Sequence, residues 1–224
     1  MPLQFTLSYD GELATRHAID FYDAAHALEG FQRSLALTIH VMINGEVITQ
    51  ATSLRGAQIL ALSTETGSWK FVVGVVGSLF ALGQAPQNSV VGHLMTSAYD
   101  YVVSETLGFH IDFNKTLSQQ YEEIHKVRLP LLSQPQSKLD AVIEKCEFSI
   151  KEMHRPIVWS KTPTSADITS NTNGTIRPLT ATLDHNTYGY INVTHEEDNP
   201  IKFIGHVSSY NINTFPLTIE PQPI

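Results

Sequence analysis

Residues 20–45, DFYDAAHALEGFQRSLALTIHVMING, decide how this chain is read. Asp20 is a helix-capping residue, and Asp23 in the first turn suits the positive end of the helix dipole. Apolar positions then recur at Phe21, Ala24, Leu28, Phe31, Leu35, Thr38 or Ile39, and Met42. This 3–4 spacing draws one continuous stripe along a helix of about 24 residues. Asn44-Gly45 supplies the stop. Gly30 lies inside the helix at a cost of about 1 kcal/mol relative to alanine. It either marks a close approach to another helix or is incidental.

On the N-terminal side, Leu3, Phe5, Leu7 and Tyr9 alternate with Gln4, Thr6 and Ser8, the pattern of a half-buried strand. Asp10-Gly11 is a hairpin signal. Residues 13–19 then read as the return strand, with Leu13, Thr15, His17 and Ile19 on one face. On the C-terminal side, Ala57–Thr64 and Ser68–Val73 read as two strands around Glu65-Thr66-Gly67. They are apolar enough to be central and covered on both faces. The glycines at 74, 77 and 83 leave residues 74–82 open between strand and helix. Asn88 or Ser89 caps a second long helix carrying Val91, Leu94, Met95, Ala98, Tyr101 and Val102, stopped at Gly108. A weaker helix is expected over 115–127. Ser137 then caps a further one whose core face is Leu139, Val142, Ile143, Cys146, Ile150 and Met153, with His154-Arg155 at its negative end.

The composition changes after Arg155. Ten of the sixteen residues from Ser160 to Thr175 are Ser, Thr or Asn, which reads as a linker. Beyond it, Tyr188–His195 and Ile201–Tyr210 read as strands around the acidic turn Glu196–Pro200, with a possible third strand at Asn213–Ile219. The expected fold class is α+β. An N-terminal hairpin, a long amphipathic helix and a helical bundle with a few central strands fill residues 1–156. A linker is expected over 157–178, and a small antiparallel β segment, read as an incomplete barrel, over 179–224. A β segment of about 46 residues without cysteines is too small to stand alone. It is expected to dock on the helical part, on a second copy or on further chain.

Apolar residues make up 42% of the chain and charged residues 16%, enough for a core and against general disorder. Fourteen Lys and Arg against 22 Asp and Glu give a net charge of −8, which disfavours nucleic acid as a partner. The single cysteine, Cys146, excludes an internal disulfide framework and a cysteine-rich zinc module. It falls on an apolar helix stripe, where an inert thiol is expected. The opening MPLQFTLSYDGEL lacks the basic start and apolar run of a secretion signal, so a cytoplasmic setting is expected. The apolar run Phe71–Leu82 spans roughly 18 Å as a helix, short of a bilayer core of roughly 30 Å. A membrane role is therefore disfavoured, although residues 69–103 carry the one membrane-active alternative.

Chemistry is sparsely signalled. No GxGxxG, GxxxxGK[ST], GxSxG, HExxH or CxxC pattern occurs, and no cofactor or metal is implied. Asp20, Asp23 and His26 partly converge along the first helix, and as capping carboxylates with a surface histidine they have a plain structural reading. His110 and Asp112 alternate along an extended stretch but lack a paired nucleophile. Asp184, His185 and His195, with Glu196-Glu197-Asp198, form the densest cluster of ligand-type residues and support a metal-assisted hydrolase as the enzymatic alternative. Tyr188, Tyr190, Phe203 and Tyr210 are the candidates for an aromatic interaction surface, with Tyr188 and Tyr190 on one strand face.

Three stretches together, DFYDAAHALEGFQRSLALTIH (20–40), ETGSWKF (65–71) and TATLDHNTYGYINVTHEED…IGHVSSYNINTF (180–215), resemble a family of bacterial proteins of unknown function. That family has a helical N-terminal domain and a small β-barrel-like C-terminal domain. The resemblance implies a two-part α+β architecture and a bacterial, intracellular setting, and carries no catalytic motif. By association alone, since some bacterial proteins of unknown function belong to multi-gene antiviral systems, a defence-like role is also an expectation. Pro216 departs from the pattern, interrupting the chain where a further barrel strand is expected. The leading expectation is a non-enzymatic protein-interaction or assembly component, self-associating or bound to a protein partner.

Overall fold

The computed structural model describes residues 3–49, 54–62, 69–77, 85–111, 135–193, 205–210 and 217–221. The chain divides into two compact units, Met1–Asn192 and Val193–Ile224. The first is α+β. Its strands are β1 (Leu3–Asp10), β2 (Ala57–Leu62), β3 (Trp69–Gly77), β4 (Ser165–Thr172) and β5 (Thr175–Pro178). Its helices are α1 (Phe21–Asn44), α2 (Ala85–Thr106), α3 (Pro135–Met153), α4 (Arg155–Val158) and α5 (His185–Ile191).

The strands form one antiparallel sheet in the order β2-β3-β1-β4-β5. The alternation in β1 is realised as read. Leu3, Phe5, Leu7 and Tyr9 are buried, and the residues between them are half-buried. One face of the sheet therefore carries the core, and the three long helices cover it. Phe5 meets Tyr99 of α2 edge-on with ring centroids 5.4 Å apart. The Tyr9 hydroxyl donates to the Met153 carbonyl at the end of α3, 2.6 Å away.

Helix α1 has the expected limits. The Asp20 carboxylate accepts from the Asp23 amide at 3.0 Å, and Gly45 closes the helix with φ 70°. Gly30 does mark a close approach. A Cβ there would lie 2.2 Å from the Ser149 carbonyl oxygen of α3. The core faces read for α2 and α3 are buried, Ile143 partly so. Gly108, with φ 80°, follows α2 as the expected stop. Phe21 departs from the α1 stripe: it is 86% exposed.

Four expectations are corrected. Residues 13–19 are no return strand. Gly11 starts a tight turn leading to a short 3-10 turn at Ala14–Arg16, and β1 pairs instead with the distant β3 and β4. The 157–178 linker is two strands and a connection, with β4 beside the central strand. Its inward residues are Ala166, Ile168, Ser170 and Thr172, and the last of them is kept small where α2 comes close: a Cβ on Gly92 would lie 2.5 Å from Thr172 Cγ2. Residues 188–191 are helix, not strand; Asp184 and Thr187 close a capping box that starts α5. Finally, β2 is a sheet edge among the described residues, with Gln58, Leu60 and Ala61 exposed, so of these two strands β3 alone is interior. β3 runs on to Gly77, which settles residues 74–77 as strand. Residues 115–127, the turn 65–67 and residues 78–84 lie outside the described residues.

In the second unit, β6 (Gly205–Tyr210) pairs antiparallel with β7 (Leu217–Pro221), with an irregularity between Val207 and Ser209.

Candidate functional site

The start of α1, the end of α3 and the short α4 meet at one corner of the first unit. Asp23 is buried there, and both of its carboxylate oxygens are used. Oδ1 accepts from Arg155 Nε at 3.1 Å, and Oδ2 from the Ser160 amide at 3.1 Å. A buried carboxylate needs such partners to offset its lost hydration. Glu152, one turn before Arg155 on α3, lies 3.6 Å from Arg155 Nη1 and 3.2 Å from His26 Nδ1. The Asp20 amide donates to Thr162 Oγ1, fixing the loop after α4 to the start of α1.

Aromatic rings enclose this charged network. The Arg155 guanidinium carbon lies 5.4 Å from the centre of the Tyr22 ring and 5.6 Å from the Trp159 ring, both within cation–π range. Tyr22 also meets His26 edge-on, with centroids 4.6 Å apart. Trp159, Arg155, Tyr22 and His26 thus form a ladder. Tyr22 is 65% and Trp159 64% exposed, and Phe21 lies beside Tyr22 in the sequence. Phe148, also exposed, sits one helical turn before Glu152. Large apolar side chains left in water on rigid elements mark contact surfaces rather than core.

The residues singled out from sequence land elsewhere. Asp184 caps α5, accepting from the amides of Asn186 and Thr187 at 2.8 Å each. Burial pushes its carboxyl up, but these hydrogen bonds outweigh that and hold it below the ordinary value. His185 is the exposed first residue of α5. His195 and Phe203 lie outside the described residues. Tyr210 ends β6, opposite Leu217. Tyr188 and Tyr190, two apart on a helix, do not share a face as they would on a strand. The Tyr188 ring lies 5.9 Å from that of His154, whereas Tyr190, 55% exposed, rests against Gly108. His110 pairs with Glu105 at 3.2 Å, and Asp112 lies outside the described residues. Asp20 and Asp23 are occupied in capping and in the Arg155 network. Among the described residues no group of three or more His, Cys, Asp or Glu is placed to hold a metal ion.

Among the described residues, His154 makes a contact resembling a catalytic pair, with Nε2 3.0 Å from the Thr187 hydroxyl. Both residues are buried, so the contact clamps α5 onto α3 rather than presenting a nucleophile. Cys146 is likewise buried, and burial pushes its thiol up to about 12. An aromatic disulfide reagent at pH 8 should therefore label it only at the rate of unfolding. Rapid stoichiometric labelling of the native chain would contradict that burial.

Sequence reasoning singled out Asp20, Asp23 and His26 but missed Arg155, Glu152 and Trp159 as their partners. No local signal named them, because the exposure of Phe21 at the head of the apolar stripe shows only in the structure.

A helical layer over one face of an antiparallel sheet, with an aromatic and charged corner, defines an α+β protein. Residues 5–192 match the family model described as Domain of unknown function (DUF7946), and the chain belongs to that family. The match ends at the residue where the first compact unit ends. No curated protein and no solved structure matches the chain.

Proposed function

We propose that this chain is a non-enzymatic protein-interaction or assembly component of a bacterial cytoplasm, and that it docks through the corner formed by α1, α3 and α4. The observation that supports this most directly is the stack of the exposed Tyr22 and Trp159 rings on Arg155, held by two packed elements, α1 and α4. Tyr, Trp and Arg are the residues that concentrate binding energy at protein interfaces, and a rigid scaffold spares the entropy of ordering them. The net charge of −8 favours a protein partner over nucleic acid. The bacterial setting rests on the sequence resemblance alone, and a place in a multi-gene, defence-like system on association alone.

The described residues add nothing to the hydrolase reading: Asp184 is committed to capping and His185 is exposed, while His195 and the acids beside it lie outside the described residues. The membrane reading is weakened. Residues 69–77 are a sheet strand, and among the described residues no helix is long and apolar enough to cross a membrane.

The test is co-expression with the products of adjacent genes, followed by size-exclusion chromatography and sedimentation. The wild type is expected to co-elute with one of them, and a Phe21→Ser, Tyr22→Ser, Trp159→Ser variant of unchanged circular dichroism to elute alone. Complexes formed equally by both proteins would defeat this assignment of the docking face.

A further inference from the structure

We infer that the corner formed by α1, α3 and α4 takes a basic segment of a partner protein, presenting arginine or lysine side chains between apolar ones. This rests on the reading of that corner as the docking face and adds the chemistry of what it holds.

Two observations carry it. The first is that the surface already binds a cation. Tyr22 and Trp159 each lie within cation–π distance of the same guanidinium, yet about two thirds of each side chain remains open to water. A second cation stacked on the open part of either ring would lengthen the ladder at no cost in rearranging the first. Planar guanidinium groups suit such stacking. The apolar stems of such side chains would cover Phe21 and Phe148, the exposed apolar residues of the same corner.

The second is charge. Asp23 and Glu152 both contact Arg155, Asp20 caps the same end of α1, and the exposed Lys161 precedes Thr162, which binds the Asp20 amide. Three carboxylates against two cations leave −1 with His26 neutral. The chain as a whole carries −8. A second copy docking here by two-fold symmetry would set the same carboxylates opposite themselves and bring two strongly acidic chains together, which symmetric pairing cannot relieve. A basic segment meets the face with complementary charge and gains in association rate from the net charge.

The probe is a twelve-residue synthetic peptide of alternating arginine and leucine, compared with the same peptide carrying glutamine or glutamate for arginine. Binding is read on the full chain in a Trp69→Phe background, so that the fluorescence reports Trp159 alone. The arginine peptide is expected to shift Trp159 emission and to bind at least tenfold more tightly than the glutamine peptide. Its affinity should fall as salt rises, and Tyr22→Ala with Trp159→Ala should weaken it at least tenfold while leaving circular dichroism unchanged. Equal affinity for the arginine and glutamine peptides would overturn the cationic chemistry, and if both need Trp159 the docking face itself stands. A dimer dispersed by Trp159→Ala would overturn it too, replacing the basic partner with a second copy. Arginine-peptide binding that ignores Tyr22 and Trp159 would mean general attraction to an acidic protein and overturn the inference. If the co-eluting complex also ignores those residues, the docking face falls with it.

Discussion

Replacing Gly30 with alanine is expected to lower the stability of the first unit by about 2 kcal/mol, although alanine is the better helix former. Propensity alone favours the change by about 1 kcal/mol. Against it stands the Ser149 carbonyl oxygen, 2.2 Å from where the new methyl would sit, with Glu152 Cβ at 3.2 Å. The obstacle is the backbone of α3, which cannot rotate away as a side-chain tip would. The two helices must move apart along their length, loosening the contacts of Phe31, Leu35, Cys146 and Ile150, at a cost of about 3 kcal/mol. The net loss corresponds to a fall in Tm of roughly 6 °C for a unit of this size. Gly189→Ala in α5 is the control, because nothing lies within 4 Å of its added methyl. It should stabilise the chain by about 0.5–1 kcal/mol. Urea denaturation of both variants decides the matter. A Gly30→Ala protein as stable as wild type would mean that α1 and α3 do not approach as closely as described.

This contrast shows what the sequence could and could not convey. The limits of α1 were legible because cap, stripe and stop are all local. So were the faces of α2 and α3, whose apolar residues recur at helical spacing whatever they pack against. The neighbours of β1 were not legible. An Asp-Gly turn predicts a partner a few residues away, but the strand is central and pairs with residues 69–75 and 165–172. β4 was hidden for a related reason. Where a helix approaches through Gly92, the inward position must be small, so Thr172 replaces the expected large apolar residue and the alternation is lost there. In α5 the Tyr188 and Tyr190 spacing suggested a strand, and the Asp184–Thr187 capping box that starts the helix was not read as one. At the candidate site, Asp23 and His26 were visible as chemistry, but their partners lie more than 120 residues along the chain. Only the packing of α1 on α3 brings them together.

The same packing makes the first unit acid-sensitive at a definable place. His154 is fully buried between α3 and α5. Its Nδ1–H donates to the Ile150 carbonyl at 2.8 Å, since a carbonyl can only accept. That fixes Nε2 as the acceptor of the Thr187 hydroxyl at 3.0 Å. Burial pushes the imidazole down from 6.5 to about 4; the Ile150 carbonyl and the Asp184 charge oppose this, and His185 adds to it. Above pH 6.5 the ring is neutral whether the chain is folded or not, and its contribution is complete. Between pH 6.5 and 4 only the unfolded chain takes up the proton, so stability falls, by about 3 kcal/mol across the window. Below pH 4 both states are protonated and nothing further is lost at this residue. Asp184 is separable, because its own loss begins only below its ordinary 3.8. His40, also lowered chiefly by burial, acts in the same direction as His154, so the comparison must be with a variant. His154→Asn keeps a donor and an acceptor but does not titrate. It should be less stable than wild type at pH 7.5 and lose about 2.5 kcal/mol less between pH 7.5 and 4.5 in urea denaturation. The ring protons of His154 in the native chain should titrate with a midpoint near 4. A midpoint near 6.5, or parallel losses in the two proteins, would show that α5 is not clamped by a neutral histidine.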